Sequence, residues 1–226
     1  MSALLHLAEH RLQEIALGVM AVVYTTRLLW YFRFKAGKDR FPHTGRADTD
    51  ARRGAIYSLF NVVMPWAMES TRKHPGFYLQ FVLFHLGVVA NITLSFVIPY
   101  GPGLLAANTW LVRLFQVACG LACGVGLLRL ARRVLKPVMR LISTPDDYFA
   151  VTLLTVWFFF GVLAAPNSAA SGEGILIAYF FLTAFFLLYV PFSKISHYLY
   201  YPFTRWYMGK TMGHRGVYPL PSRKGA

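Results

Sequence analysis

Long apolar runs alternate along this chain with short polar connections. Five runs reach the length of about 20 apolar residues that a helix needs to cross a bilayer. They cover about 15–34, 77–100, 108–130, 148–166 and 174–189, and the last is expected to stay helical to about Tyr200, giving a fifth span of 174–200. Inside lipid every backbone amide must be paired within the segment, so runs of this kind are helices. The pattern predicts an all-α integral membrane protein with five transmembrane helices in one domain over residues 1–226. The first run lacks a basic leader and a small-residue cleavage site, so it is expected to remain as a span.

The connection 35–75 is long and patterned. Asp48 or Thr49 caps a helix through about Ser70, with Ile56, Leu59, Phe60, Val63 and Met64 at helical spacing. With Arg52 and Arg53 at its start, it reads as an amphipathic helix on the membrane surface, kinked at Pro65. It suits lipid headgroups or a soluble partner subunit equally well. Residues 206–226 form a tail whose closing stretch from His214 reads as extended, ordering only against a partner.

Composition agrees with the pattern. Of 226 residues 56% are hydrophobic and 16% aromatic, with a mean hydropathy of +0.46, above an ordinary soluble domain. The net charge of +14 would suit nucleic acid, but its distribution excludes that partner. Lys35, Lys38, Arg40, Arg46, Arg52, Arg53, Arg72 and Lys73 lie between spans one and two. Arg132, Arg133, Lys136 and Arg140 follow span three, and Arg205, Lys210, Arg215, Arg223 and Lys224 follow span five. The other two connections hold no basic residue, and Glu173 is their one charge. By the positive-inside rule the N-terminus is outside and the C-terminus cytoplasmic. Arg27, Arg33, Arg113 and Arg129 lie toward span ends, where long side chains snorkel to the interface.

Candidate chemistry is sparse. Cys119 and Cys123 share one helix face, too poor a set for a metal site; Gly120 and Gly124 form a GxxxG that predicts close helix packing. Glu69, Asp146, Asp147 and Glu173 fall outside the spans, and no nucleophile, phosphate-loop or zinc motif appears. A self-contained hydrolytic enzyme is excluded. His6, His10, His43, His74 and His214 sit at or beyond the membrane surface. His85 and His197 differ. His85 lies about 12 Å up the second span from Phe77, amid apolar residues, where an ionisable group marks function by default. Span five returns toward the same face, so His197 shares that half of the membrane. Two imidazoles on facing helices form the simplest socket for a b-type haem. The alternative is a pair of buried histidines bonded to neighbouring hydroxyls. Lys194 and Arg205 are candidate propionate partners by charge and position, or else ordinary positive-inside residues.

Two strings carry a resemblance: LFHLG at Leu83–Gly87 and VPFSKISHYLYYPFTRWY at Val190–Tyr207. Together with the five-span topology they resemble the cytochrome b (gamma) subunit of respiratory nitrate reductase and its relatives in sulfur-metabolising, heterodisulfide-reductase-like complexes. The resemblance implies that His85 and His197 are the axial ligands of the haem nearer the cytoplasm, in a bacterial or archaeal inner membrane. Two-haem relatives carry a second histidine pair nearer the outer face. Here those positions are Ser95 and Tyr179, so one haem b is expected. The resemblance further implies an electron-transfer subunit, not catalytic alone, between membrane quinone and an iron–sulfur subunit on the cytoplasmic face. It places Arg113 near a quinol-site basic residue, although a snorkelling arginine explains that position too. A haem-free anchor or assembly subunit is the alternative function.

Overall fold

A computed structural model describes residues 2–37, 39–43, 45–167 and 172–220. Lys38, Arg223 and Lys224, counted above among the basic residues, lie outside the described residues, as does most of the connection before Glu173. Among the described residues the secondary structure is helical throughout. In order come α1 (Ala3–His6), a π-helical turn at Leu7–Arg11, α2 (Leu12–Phe32), α3 (Ala51–Phe60), α4 (Glu69–Lys73), α5 (Pro75–Tyr100) and α6 (Pro102–Ala107). Then follow α7 (Thr109–Leu135), α8 (Pro137–Ile142), α9 (Pro145–Ala164), α10 (Gly174–Tyr189) and α11 (His197–His214). Five helical stretches are long and apolar enough to cross a membrane: Ala3–Phe32, Pro75–Tyr100, Thr109–Leu135, Pro145–Ala164 and Gly174–Phe192. The chain is thus a multi-pass membrane protein by architecture.

Local chemistry sets the ends of these helices. The first begins at Ala3, well before the expected Ile15, because the Ser2 hydroxyl accepts from the Leu5 amide. Its polar residues Glu9 and Gln13 are buried in protein rather than exposed to lipid. Asn108 caps α7 through the Leu111 amide, and Thr144 with Asp147 closes a capping box on α9. The fifth span departs from expectation. Helix α10 stops at Tyr189, short of Tyr200, and two 3-10 turns, Val190–Phe192 and Lys194–Ser196, precede α11. Pro191 has no amide to continue the ladder. The Ser193 hydroxyl meanwhile donates to the Val190 carbonyl and accepts from the Ile195 amide, which stabilises the break.

The chain divides into two compact units. The first comprises residues up to Thr25 with Leu79–Ile195, the second Thr26–Tyr78 with residues from Ser196 onward. In the first, α5, α7, α9 and α10 meet around Asn91, which is fully buried. Its Nδ2 donates to the Trp157 carbonyl at 3.0 Å, and its own carbonyl accepts from the Tyr179 hydroxyl at 2.8 Å. Trp157 Nε1 donates to Thr183 Oγ1, which donates to the Tyr179 carbonyl, both at 2.8 Å. Small residues let the helices close on this network. A Cβ at Gly87 would stand 2.1 Å from Ala122 Cβ, and one at Gly161 would stand 2.0 Å from Asn91 Oδ1. The GxxxG at Gly120 and Gly124 does not serve this purpose, since Gly124 faces open space and Gly120 only grazes Val162. The contact of α7 with α9 falls at Gly126, against Thr155.

In the second unit the surface helix is shorter than expected and has a partner. Asp50, not Asp48 or Thr49, caps it through the Arg53 amide. It ends at Phe60 rather than Ser70, because Asn61–Val63 and Pro65–Ala67 tighten into 3-10 turns around Pro65. Helix α11 packs along it. Cβ atoms built at Gly54, Gly209 and Gly213 would meet backbone at 2.3 Å from Gly209 O, 2.5 Å from Gly54 O and 2.2 Å from Asp50 O respectively. Arg205 Nε donates to the Ser58 carbonyl at 3.1 Å and Thr49 Oγ1 to the Gly213 carbonyl at 3.1 Å. Rising numbers on one helix meet falling numbers on the other, so the pair is antiparallel.

The described part of the tail packs on its own chain. Val217 and Tyr218 amides donate to the Met212 carbonyl, and Arg46 donates to the Pro219 carbonyl at 3.1 Å. Arg215 donates to Asp39 through Nε at 2.6 Å and Nη2 at 3.2 Å. That guanidinium, and then the Phe41 amide, hold the Asp39 carboxyl below the ordinary carboxylate range. The sign follows from linkage. A carboxyl whose value is depressed on folding stabilises fully above the unfolded value of about 3.9. It loses that contribution as pH falls through its folded value. Protection factors of the Phe41 and Val217 amides, taken relative to the intrinsic exchange rate at each pH, should therefore fall on acidification below about pH 4, and Asp39→Asn should remove the acid step. An acid step of equal size in the variant would refute the assignment.

Candidate haem-ligand site

His85 stands in the third turn of α5, half-buried. Its Nδ1 lies 2.8 Å from the Phe81 carbonyl. A carbonyl can only accept, so Nδ1 carries the proton and the ring's basic lone pair is on Nε2. Metal-ligating histidines are commonly oriented in this way, the second nitrogen donating to a backbone carbonyl. Aromatic rings hold the imidazole on its helix. Phe81 lies 4.2 Å away between ring centroids and Phe84 lies 6.2 Å away. Phe84 is buried edge-on against Phe158 at 5.2 Å. Gly87, the last residue of the LFHLG string, is explained by the close approach of Ala122 rather than by a ligand.

His197 is the first residue of α11, exposed, with buried Ser196 at the N-cap position. His85 belongs to the first unit and His197 to the second. Within the second unit, the helix that carries His197 is fixed by the glycine contacts with α3 and by Arg205 on Ser58. Tyr201, one turn after His197, donates to the Leu59 carbonyl at 3.3 Å.

Among the described residues no three His, Cys, Asp or Glu side chains gather as a metal site. A porphyrin brings four nitrogens of its own, so two imidazoles complete its iron. Ser95 and Tyr179, which the resemblance sets against a second ligand pair, make other contacts. The Ser95 hydroxyl donates to the Ile92 carbonyl at 2.7 Å. The Tyr179 ring is completely buried in the Asn91 network.

The basic candidates fall in different settings. Lys194 pairs with Asp147 at 3.0 Å and donates to Thr144 Oγ1 at 2.9 Å, tying the 3-10 segment to the start of α9. Arg205 is engaged with Ser58 in the second unit. Arg113 is exposed in the second turn of α7, as a snorkelling side chain would be. Sequence reasoning read Arg129 only as a snorkelling arginine. Its guanidinium lies 4.4 Å above the centroid of the Phe84 ring, next along the helix to His85. Asn91 was missed as well, although a lone amide in the centre of an apolar run was a visible signal.

Comparison with known proteins adds a whole-chain likeness. No protein-family model matches the chain, and no solved structure matches it. A protein of Nitratidesulfovibrio vulgaris strain Hildenborough is 25% identical over 197 residues, covering 81% of this chain and 82% of that protein. The chain is therefore similar to a bacterial protein across most of both lengths.

Proposed function

We propose that this chain is the membrane-anchor cytochrome b of a quinone-linked oxidoreductase complex, with His85 and His197 the axial ligands of one haem b. Its N-terminus is outside, its C-terminus cytoplasmic, and its membrane the inner membrane of a prokaryote. The observation that carries the reading is the His85 imidazole. It sits in an apolar span, with Nδ1 committed to the Phe81 carbonyl and Nε2 the basic atom. The five-span pattern and the antiparallel α3–α11 pair that fixes the His197 helix support it.

When bound, haem accepts and donates one electron at a time, and the polypeptide sets its orientation and potential. His85 and His197 would hold the iron. Tyr179, the position that the resemblance sets against a second ligand, is buried in the Asn91 network, which supports one haem per chain. The basic second unit, with Arg52, Arg53 and Lys210, offers a face for an iron–sulfur subunit. Membrane quinone is the other electron partner, with Arg113 a weak candidate for its site.

Pyridine haemochrome analysis of the purified wild-type chain is expected to give one haem b per polypeptide. Two haems would overturn the single-haem assignment, and a colourless protein would end the cytochrome reading in favour of a haem-free anchor.

A further inference from the structure

Arg129 lies near the end of α7, where snorkelling would carry its head group along the helix toward water. It turns instead into protein, over the Phe84 ring at 4.4 Å. Phe84 is only 5% exposed and is pinned against Phe158, so the guanidinium rests on a fixed surface. The same ring lies 6.2 Å from the His85 imidazole, edge to face. A half-buried cation needs an anion or good hydrogen bonds to offset its lost hydration, and an aromatic face replaces that only in part.

The carboxylates of the first unit are committed elsewhere. Asp147 is held by Lys194, Asp146 by the Tyr189 hydroxyl, and Glu173 by the Ser2 amide. Glu14 faces Arg11, and Glu9 lies among His6 and His10. Among the described residues Arg129 forms no ion pair, and Arg133 lies one turn further along the same helix. Arg133 itself donates to a neutral hydroxyl, Ser143 Oγ, at 2.7 Å.

We propose that Arg129 binds a carboxylate that the polypeptide does not supply, namely a propionate of the haem ligated by His85. Guanidinium is the side chain suited to a two-point carboxylate contact, and it stays charged when half-buried. Lys194 and Arg205 are the poorer candidates, since the first is neutralised by Asp147 and the second is engaged with the Ser58 carbonyl. A lipid phosphate shares the chemistry of a propionate, so the test must separate the two. This inference rests on the haem reading above.

The test compares wild type, Arg129→Gln and Arg129→Lys in nanodiscs of phosphatidylcholine and of phosphatidylglycerol, with haem 13C-labelled at the propionate carboxyls. Arg129→Gln should keep a low-spin spectrum while its reduction constant falls about tenfold, a drop of 59 mV for one electron. Losing a nearby positive charge disfavours the more negative reduced state. Arg129→Lys should restore most of the midpoint. The labelled carboxylate band in the redox difference infrared spectrum should move in both variants, because lysine keeps the charge but not the two-point contact. If Arg129→Gln does not retain haem, the band in Arg129→Lys decides. An unmoved labelled band overturns the proposal, and a midpoint change that follows phosphatidylglycerol assigns the site to lipid. A colourless wild-type chain fails differently, by removing the cytochrome reading itself.

Discussion

Replacing His85 or His197 with alanine is expected to abolish the low-spin b-type α band in a reduced-minus-oxidised spectrum, or convert it to a high-spin form. In the proposed haem site each imidazole would supply one of the two strong-field axial bonds, and no second imidazole lies on either neighbouring turn. Around His85 the adjacent side chains are Phe81, Phe84 and Leu86. Around His197 they are Ser196, Tyr198 and Tyr201, hydroxyls that bind haem iron weakly beside imidazole. The effect should be nearly complete for haem content and small for folding. His85 is only half-buried, and its Nδ1 bonds to a carbonyl of its own helix. A full low-spin band in either variant would remove that residue from the ligand set. His85→Gln is a useful companion, since its amide can still donate to Phe81 O without offering an imidazole nitrogen.

The second large effect concerns the helix that carries His197. Gly213→Leu is expected to destabilise the second unit by about 3 kcal/mol, the upper end of overpacking in a rigid contact. A Cβ there would stand 2.2 Å from the Asp50 carbonyl oxygen and 2.9 Å from Gly54 Cα. Both are backbone atoms, one at the N-cap of α3 and one within it, so no side chain can swing aside and the helices must separate. Amide exchange over 51–60 and 197–214 should rise together, while the core around Asn91 keeps its protection. Gly124→Leu is the matched control, because that position meets open space. Equal destabilisation by the two changes would show that α11 does not depend on this contact.

The spans were legible because lipid imposes one requirement, a continuous apolar helix of sufficient length, and residues such as 77–100 meet it visibly. The histidine in the second span was legible for the same reason, as an ionisable group in an apolar run. What periodicity could not show was which small residues touch. Gly120 and Gly124 have the right spacing but the wrong face, whereas Gly209 and Gly213 have the same spacing in a polar, aromatic stretch and make the contact. Arg129 and Arg113 likewise read alike, as arginines near span ends. Only the position of Phe84 separates a guanidinium turned into protein from one left exposed.

The amino-acid order alone determined the number of spans, the helical class and the charge asymmetry between connections, and it singled out His85 and His197 as candidate ligands. Each follows from local hydropathy and residue type. The tertiary structure decided the break between Tyr189 and His197, the antiparallel pairing of α3 with α11, the packing of the described tail on its own chain and the Asn91 network. Those depend on which backbone groups and side chains residues far apart in sequence bring into contact, and no window along the chain contains that information.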